Sequence, residues 1–201
     1  MGGTMTAESI EHRHQWPVPP EDGYTVDDLS TLPDLPSHTE LIDGSLIFVS
    51  PQRNFHTDVL DVLVSGLRRD LPAALKIKRE MTVVLDNRNA PEPDIIVVTA
   101  ESVVGPDQTR YRAHDVLLAV EVVSPDSESR DRTTKPQKYA AAGIPNFWRV
   151  ERGGDGGEPL VHVYELDPLT KSYVHMGMQR DQLKVGKPYA IEIDLGAVRE
   201  L

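Results

Sequence analysis

Two periods of hydrophobic and polar residues alternate along this chain, and the switches between them mark its elements. Tyr24 to Leu32 reads as a short helix, with Thr25 as N-cap, Asp27 and Asp28 in the first turn, and Pro33 and Pro36 beyond its end. Glu40 to Ser50 (ELIDGSLIFVS) carries two apolar runs about Asp43-Gly44, which predicts a tight N-terminal β-hairpin. From Asn54 to Asp70 the apolar residues Phe55, Val59, Leu60, Leu63, Val64 and Leu67 recur at threes and fours. That spacing predicts an amphipathic helix capped by Asn54 and stopped by Pro72. Lys76 to Leu85 alternates as a strand, Asp86 to Ala90 reads as a turn, and Pro93 to Val98 (PDIIVV) as a buried strand.

The stretch from Asp115 to Val150 organises the rest. Val116 to Val123 is apolar on both alternating sets, as for a strand covered on both faces, and one carboxylate, Glu121, interrupts it. A turn-rich segment with Arg130, Asp131, Arg132 and Lys135 follows. The next helix is expected to start at Thr134, Lys135 and Pro136 and to end at Gly143 and Pro145. Asn146 to Val150 is a second apolar strand, with Trp148 expected in the core. Beyond it, Gly153 to Gly157 reads as a hairpin connection. It lacks the Lys-Ser/Thr of a phosphate-binding loop. Leu160 to Leu166, Ser172 to Met176 and Tyr189 to Leu195 complete a strand-rich end. The order of elements predicts an α/β (α+β) fold with a mixed β-sheet flanked by helices. Residues 1–22, polar and carrying His12, His14 and the run Trp16 to Pro20, are expected to form a flexible arm before one domain at 23–201.

Composition narrows the class. The 201 residues include 39% hydrophobic and 26% charged, as for a soluble globular protein with a sizeable core. No cysteine is present, which excludes disulfides, thiol catalysis and Cys-ligated zinc and fits a reducing, cytoplasmic setting. No apolar run reaches membrane-span length, and no signal-peptide stretch opens the chain. A formal charge of −11, from 21 basic and 32 acidic residues, argues against non-specific coating of nucleic acid. It is compatible with a nuclease whose carboxylates hold metal ions.

Three carboxylates stand out by position: Glu40 at the hairpin start, Asp94 at the start of PDIIVV, and Glu121 late in the central strand. If the last two strands are neighbours, Asp94 and Glu121 project into one notch. Two or three carboxylates with waters suit Mg²⁺, with Mn²⁺ as a substitute. Taken singly, Asp94 reads more readily as a strand cap and Glu121 as the partner of an arginine; together, in two strands this apolar, they favour metal ligation. Lys135, at the expected helix start, would meet free amides that favour an anion such as phosphate, or would be a solvated surface lysine. His56 is either a proton shuttle or supporting group near the carboxylates, or a core-edge histidine. Arg130, Arg132, Lys135 and Lys138 form a basic group beside this notch that could contact a phosphate backbone. Aromatics, at 5%, are too sparse for a single-strand stacking platform.

The segments TELIDGSLIFVSP, NFHTDVL, PEPDIIVV and LAVEVVSPDSESRDRTTKPQKYAAAGIPNFWRVE together resemble the bacterial restriction-endonuclease family called Uma-two, of the PD-(D/E)XK nuclease superfamily. The resemblance spans about Tyr24 to Leu195. It implies a restriction-endonuclease-like core and Mg²⁺-dependent hydrolysis of phosphodiester bonds in DNA. Asp94 matches the acid of the PD motif, Glu121 the second acid, and Glu40 an additional acid. The superfamily's lysine two residues after the second acid is Val123 here, and the resemblance puts Lys135 in its place. Three functions are thus expected to compete. The first is an endonuclease with Asp94, Glu121 and Glu40 as metal ligands, Lys135 stabilising charge and His56 in support. The others are a non-catalytic DNA-binding module of the same fold, and a homodimer joined through strand edges or the Trp148 region.

Overall fold

A computed structural model describes residues 18–154 and 157–201. The arm with His12 and His14 lies outside these as far as residue 17. So do two residues of the glycine-rich connection, Asp155 and Gly156.

The chain builds α1 (Asp28–Thr31), β1 (Glu40–Ile42), β2 (Ser45–Ile47), α2 (Asn54–Arg69), β3 (Leu75–Arg79), β4 (Thr82–Val84), β5 (Ile95–Thr99) and β6 (Arg110–Arg112). Then come β7 (Val116–Val122), α3 (Lys135–Ala141), β8 (Asn146–Arg152), β9 (Pro159–Asp167), β10 (Ser172–Gln179), β11 (Gln182–Val185) and β12 (Ile191–Asp194). Six strands form one mixed sheet in the order β10-β9-β8-β7-β5-β3. Only β7 and β8, joined through α3, run parallel; every other neighbour is antiparallel. The strand whose pattern was apolar on both faces, β7, is central and covered twice. Leu118, Val120, Val122 and Trp148 pack with Val59, Leu60, Leu63 and Leu67 of α2. On the other face Ala119 and Phe147 pack with Tyr139 of α3. The hairpin of β11 and β12 closes the α2 side. There α2 passes so near β12 that a Cβ on Gly66 would lie 2.5 Å from Ile193.

Three local expectations are corrected. Lys76 to Leu85 is two strands, not one: Glu80 takes a left-handed φ of 49°, and β4 leaves the main sheet to pair in parallel with β6. Asn54 is the first residue of α2 and not its cap; Arg53 holds the cap position without a side-chain bond. α1 is a single turn, with Thr25 N and Oγ1 both donating to Asp28 Oδ2 (2.6 and 2.8 Å). β6 and β11, too short to show a period, were absent from the sequence reading.

The β1–β2 hairpin has its predicted turn, with Asp43 and Gly44 at φ of 50° and 76°. It docks on the Asp86–Asn89 turn through Gly44 N to Arg88 O (2.9 Å), Asp43 N to Asn89 Oδ1 (2.9 Å) and a Leu41–Ala90 bridge. This docking carries Glu40, at the head of β1, to the start of β5.

Candidate active site

Strand register brings the two acids together. Ile95 pairs with Val120 across antiparallel β5 and β7, so Asp94 falls opposite Glu121 on the same face. Asp94 is held at both oxygens: Oδ1 accepts from Nε2 of His56 (2.9 Å) and Oδ2 from the amide of Val122 (2.6 Å). His56 reaches it from the first turn of α2 and is 4% exposed. Glu40 joins from the hairpin, its Oε1 accepting from the amide of Glu92 (2.8 Å). All five sequence-predicted residues, Glu40, His56, Asp94, Glu121 and Lys135, are buried and line one cleft of about 580 Å³.

Lys135 stands at the centre. Its Nζ lies 2.8 Å from Glu40 Oε1, 3.1 Å from Glu121 Oε2 and 3.4 Å from Asp131 Oδ1. Glu40 and Glu121 take hydrogen bonds from this ammonium, whereas Asp131 Oδ1, buried without a hydrogen-bond donor, adds an ion pair only. Glu121 is therefore paired, but with a lysine and not with an arginine, and its other oxygen accepts from the hydroxyl of Tyr139 (2.5 Å).

The backbone around Lys135 differs from expectation. Glu128 to Ala141 is one helical segment, α-helical at its ends with a π-helical stretch at Arg130–Thr134. Lys135 sits inside it, and its amide donates to the carbonyl of Arg130. The free amides expected there to attract an anion are already bonded, and Thr134 makes no side-chain cap. Pro136 explains the distortion. It has no N–H and crowds the preceding turn, and a wider π turn accommodates it inside a helix. Helical continuity also puts Asp131, Lys135 and Tyr139 four residues apart on one side. Asp131 and Tyr139 were missed as site residues because the segment before Lys135 read as a turn; the Asp-x₃-Lys-x₃-Tyr spacing was the available signal.

Burial and charge pull the site's titrations in one direction. Burial raises Glu121 well above the usual carboxylate range; Asp131, Asp94 and Glu40 add to this, and Lys135 offsets only part of it. Asp131 is raised for the same reason, against Lys135 and a hydrogen bond from Ser127. Burial opposes the charge of Lys135, yet Glu121, Glu40 and Asp131 outweigh it and hold the amine well above its ordinary value. The two directions belong together, since Glu40, Glu121 and Asp131 all meet one ammonium. Burial, with Glu121 beside it, keeps the Tyr139 phenol protonated as the donor.

The all-oxygen donor set fits a hard divalent cation. Among the described residues no three acids or histidines close around one point as an all-protein cage. Asp94 and Glu121 instead offer two carboxylates at an open cleft, as suits Mg²⁺, which keeps several waters. Of the basic group, Arg130 and Arg132 line the cleft. Lys138 turns to the hairpin and pairs with Asp43 (2.5 Å).

Comparison with solved structures supports the fold. A chain described as a "putative nuclease belonging to DUF820 from Anabaena variabilis ATCC 29413" superposes with a TM-score of 0.57 at 17% identity, over 88% of this chain and 92% of that one. The architecture is thus restriction-endonuclease-like, as the resemblance implied. The model of the Uma2 family, described as "Putative restriction endonuclease", matches residues 26–195, and the chain belongs to that family. No curated protein matches it. No helix among the described residues is long and apolar enough to cross a membrane.

Proposed function

We propose that this protein is a Mg²⁺-dependent endonuclease that hydrolyses phosphodiester bonds in DNA. One observation carries the reading: Asp94, Glu121 and Glu40 converge in one cleft, where the carboxylates outnumber the lysine that pairs with them. Asp94 and Glu121 would hold the ion, with Glu40 beside them. When bound, it supplies the acidity of a coordinated water and the polarisation of a phosphoryl oxygen. The protein's own groups do the positioning. His56 orients Asp94, and Tyr139 fixes one oxygen of Glu121. Lys135 aligns Glu40 and Glu121, pairs with Asp131, and stabilises charge on the phosphate when it turns from one of these acids. The test is nicking of plasmid DNA in Mg²⁺ and in Mn²⁺ by the parent, Asp94→Asn and Glu121→Gln. We expect both variants to lose roughly 10²–10³-fold in rate while circular dichroism shows the fold intact. A parent inert with either ion, or a Glu121→Gln variant as fast as the parent, would sink the proposal.

The fully engaged lysine favours a second reading, a DNA-binding module of the same fold without catalysis. Retention of duplex DNA with a steep salt dependence and no cleavage in either ion would select it.

A further inference from the structure

The cations nearest the acids differ in one respect that their sequence does not show. Lys135 has three carboxylates, Arg132 pairs with Glu128 (2.5 Å) and Glu151 (2.8 Å), and Lys138 pairs with Asp43. Like the exposed Arg53 and Arg152 of the same cleft, Arg130 is in none of the ion pairs among the described residues. It is half-buried and lines the same cleft, and its Nε is buried with no hydrogen-bond acceptor. An orphaned guanidinium N–H is uncommon, because a buried donor without an acceptor costs about 1–3 kcal/mol. The backbone presents it firmly. The carbonyl of Arg130 accepts the amide of Lys135, so the π turn that sets Lys135 among the acids also sets Arg130 on the cleft wall.

The acids of the cleft outnumber the ammonium set among them, so a substrate phosphate needs an uncommitted cation beside it. A guanidinium fork matches two phosphate oxygens, and its charge does not titrate in the usual range. We propose that Arg130 is the phosphate-binding residue of the cleft, donating to the non-bridging oxygens of a DNA phosphodiester. This rests on the nuclease reading, and it singles out one cation from a group that looked equivalent.

The experiment is fluorescence anisotropy with a short labelled duplex in EDTA, where binding is read without cleavage, for the parent, Arg130→Ala, Arg130→Lys and Arg132→Ala. We expect Arg130→Ala to bind roughly tenfold more weakly and its salt slope to fall by about 1, with Arg130→Lys between it and the parent. Arg132→Ala should stay within about twofold of the parent, since two carboxylates already hold that guanidinium. Arg130→Ala should melt at or above the parent temperature, because it removes an unpaired buried donor. Parent-like affinity and slope in Arg130→Ala, an equal loss in Arg132→Ala, or a lower melting temperature for Arg130→Ala would each overturn the inference. A parent that neither binds nor cleaves DNA would sink the nuclease reading, and this inference with it. Cleavage by the parent with unchanged binding by Arg130→Ala would sink the inference alone.

Discussion

The two faces of the central sheet solve the burial of one strand in opposite ways. Toward α2, β7 presents Leu118, Val120 and Val122, which pack into the larger apolar cluster. Toward α3 the same strand presents Ala119 and then Glu121, and beyond Phe147 and Tyr139 the packing ends in a cluster of four carboxylates and one ammonium. The first face gains from every methylene removed from water. The second loses by desolvating charge and recovers only part of it through pairing. A fold that merely needed stability would repeat the first arrangement on both sides. We therefore read the α3 face as the functional one, and its charges lie where α2, the hairpin and the π turn all meet.

Removing the ammonium breaks this contrast most severely. Lys135→Met leaves Glu40, Glu121 and Asp131 buried without a counter-charge and should destabilise by about 3–5 kcal/mol, read from urea denaturation at neutral pH. Adding Glu121→Leu should recover part of that loss. If Lys135→Met keeps the parent's stability, the cluster is screened as a surface network would be.

On the apolar face the sensitive feature is steric. In a helix Ala is favoured over Gly by about 1 kcal/mol, but at Gly66 the added methyl would meet Ile193 at 2.5 Å. Ile is stiff at χ1 and cannot swing aside easily, so Gly66→Ala should cost about 1–3 kcal/mol. Ile193→Val in the same chain should relieve it. A Gly66→Ala variant more stable than the parent would mean that α2 and β12 are not held at this distance.

The smallest expected effect is the pH response of the charged face. Glu121 and Asp131 are raised on folding, so the folded protein takes up protons relative to the unfolded chain. Their contribution to stability is full below the ordinary carboxylate range and is lost as pH rises through their folded values. Lys135, raised in turn, keeps its contribution below the ordinary lysine range and loses it only in strong alkali. As pH falls from neutrality toward the ordinary carboxylate range, Tm should therefore rise. Glu121→Gln should flatten that slope by about 1 kcal/mol or less. Equal slopes in both proteins would show that the general negative charge, and not this cluster, sets the response.

Much of the architecture was legible because period reports environment. Strand β7 announced its double cover by being apolar at every position but one, and α2 by its threes and fours. The Asp43-Gly44 turn was readable because few residue pairs adopt two successive positive φ values. Where a neighbour overrides local preference the reading stopped. Glu80 turns a continuous alternation into two strands of different sheets. Pro136 looked like the first turn of a helix and lies within one, because a π bulge absorbs it. That one error hid Asp131 and Tyr139.

The acids and the lysine of the cleft, and the strands and helices that carry them, are determined by the sequence itself, since residue type and period are local properties. Two things were decided only by tertiary structure. The register of β5 on β7 placed Asp94 opposite Glu121, and the π turn aimed Lys135 into three carboxylates while leaving Arg130 without one. Both depend on contacts between residues far apart in the chain, and pairing of charges is a property of distance in space, which no spacing along the sequence contains.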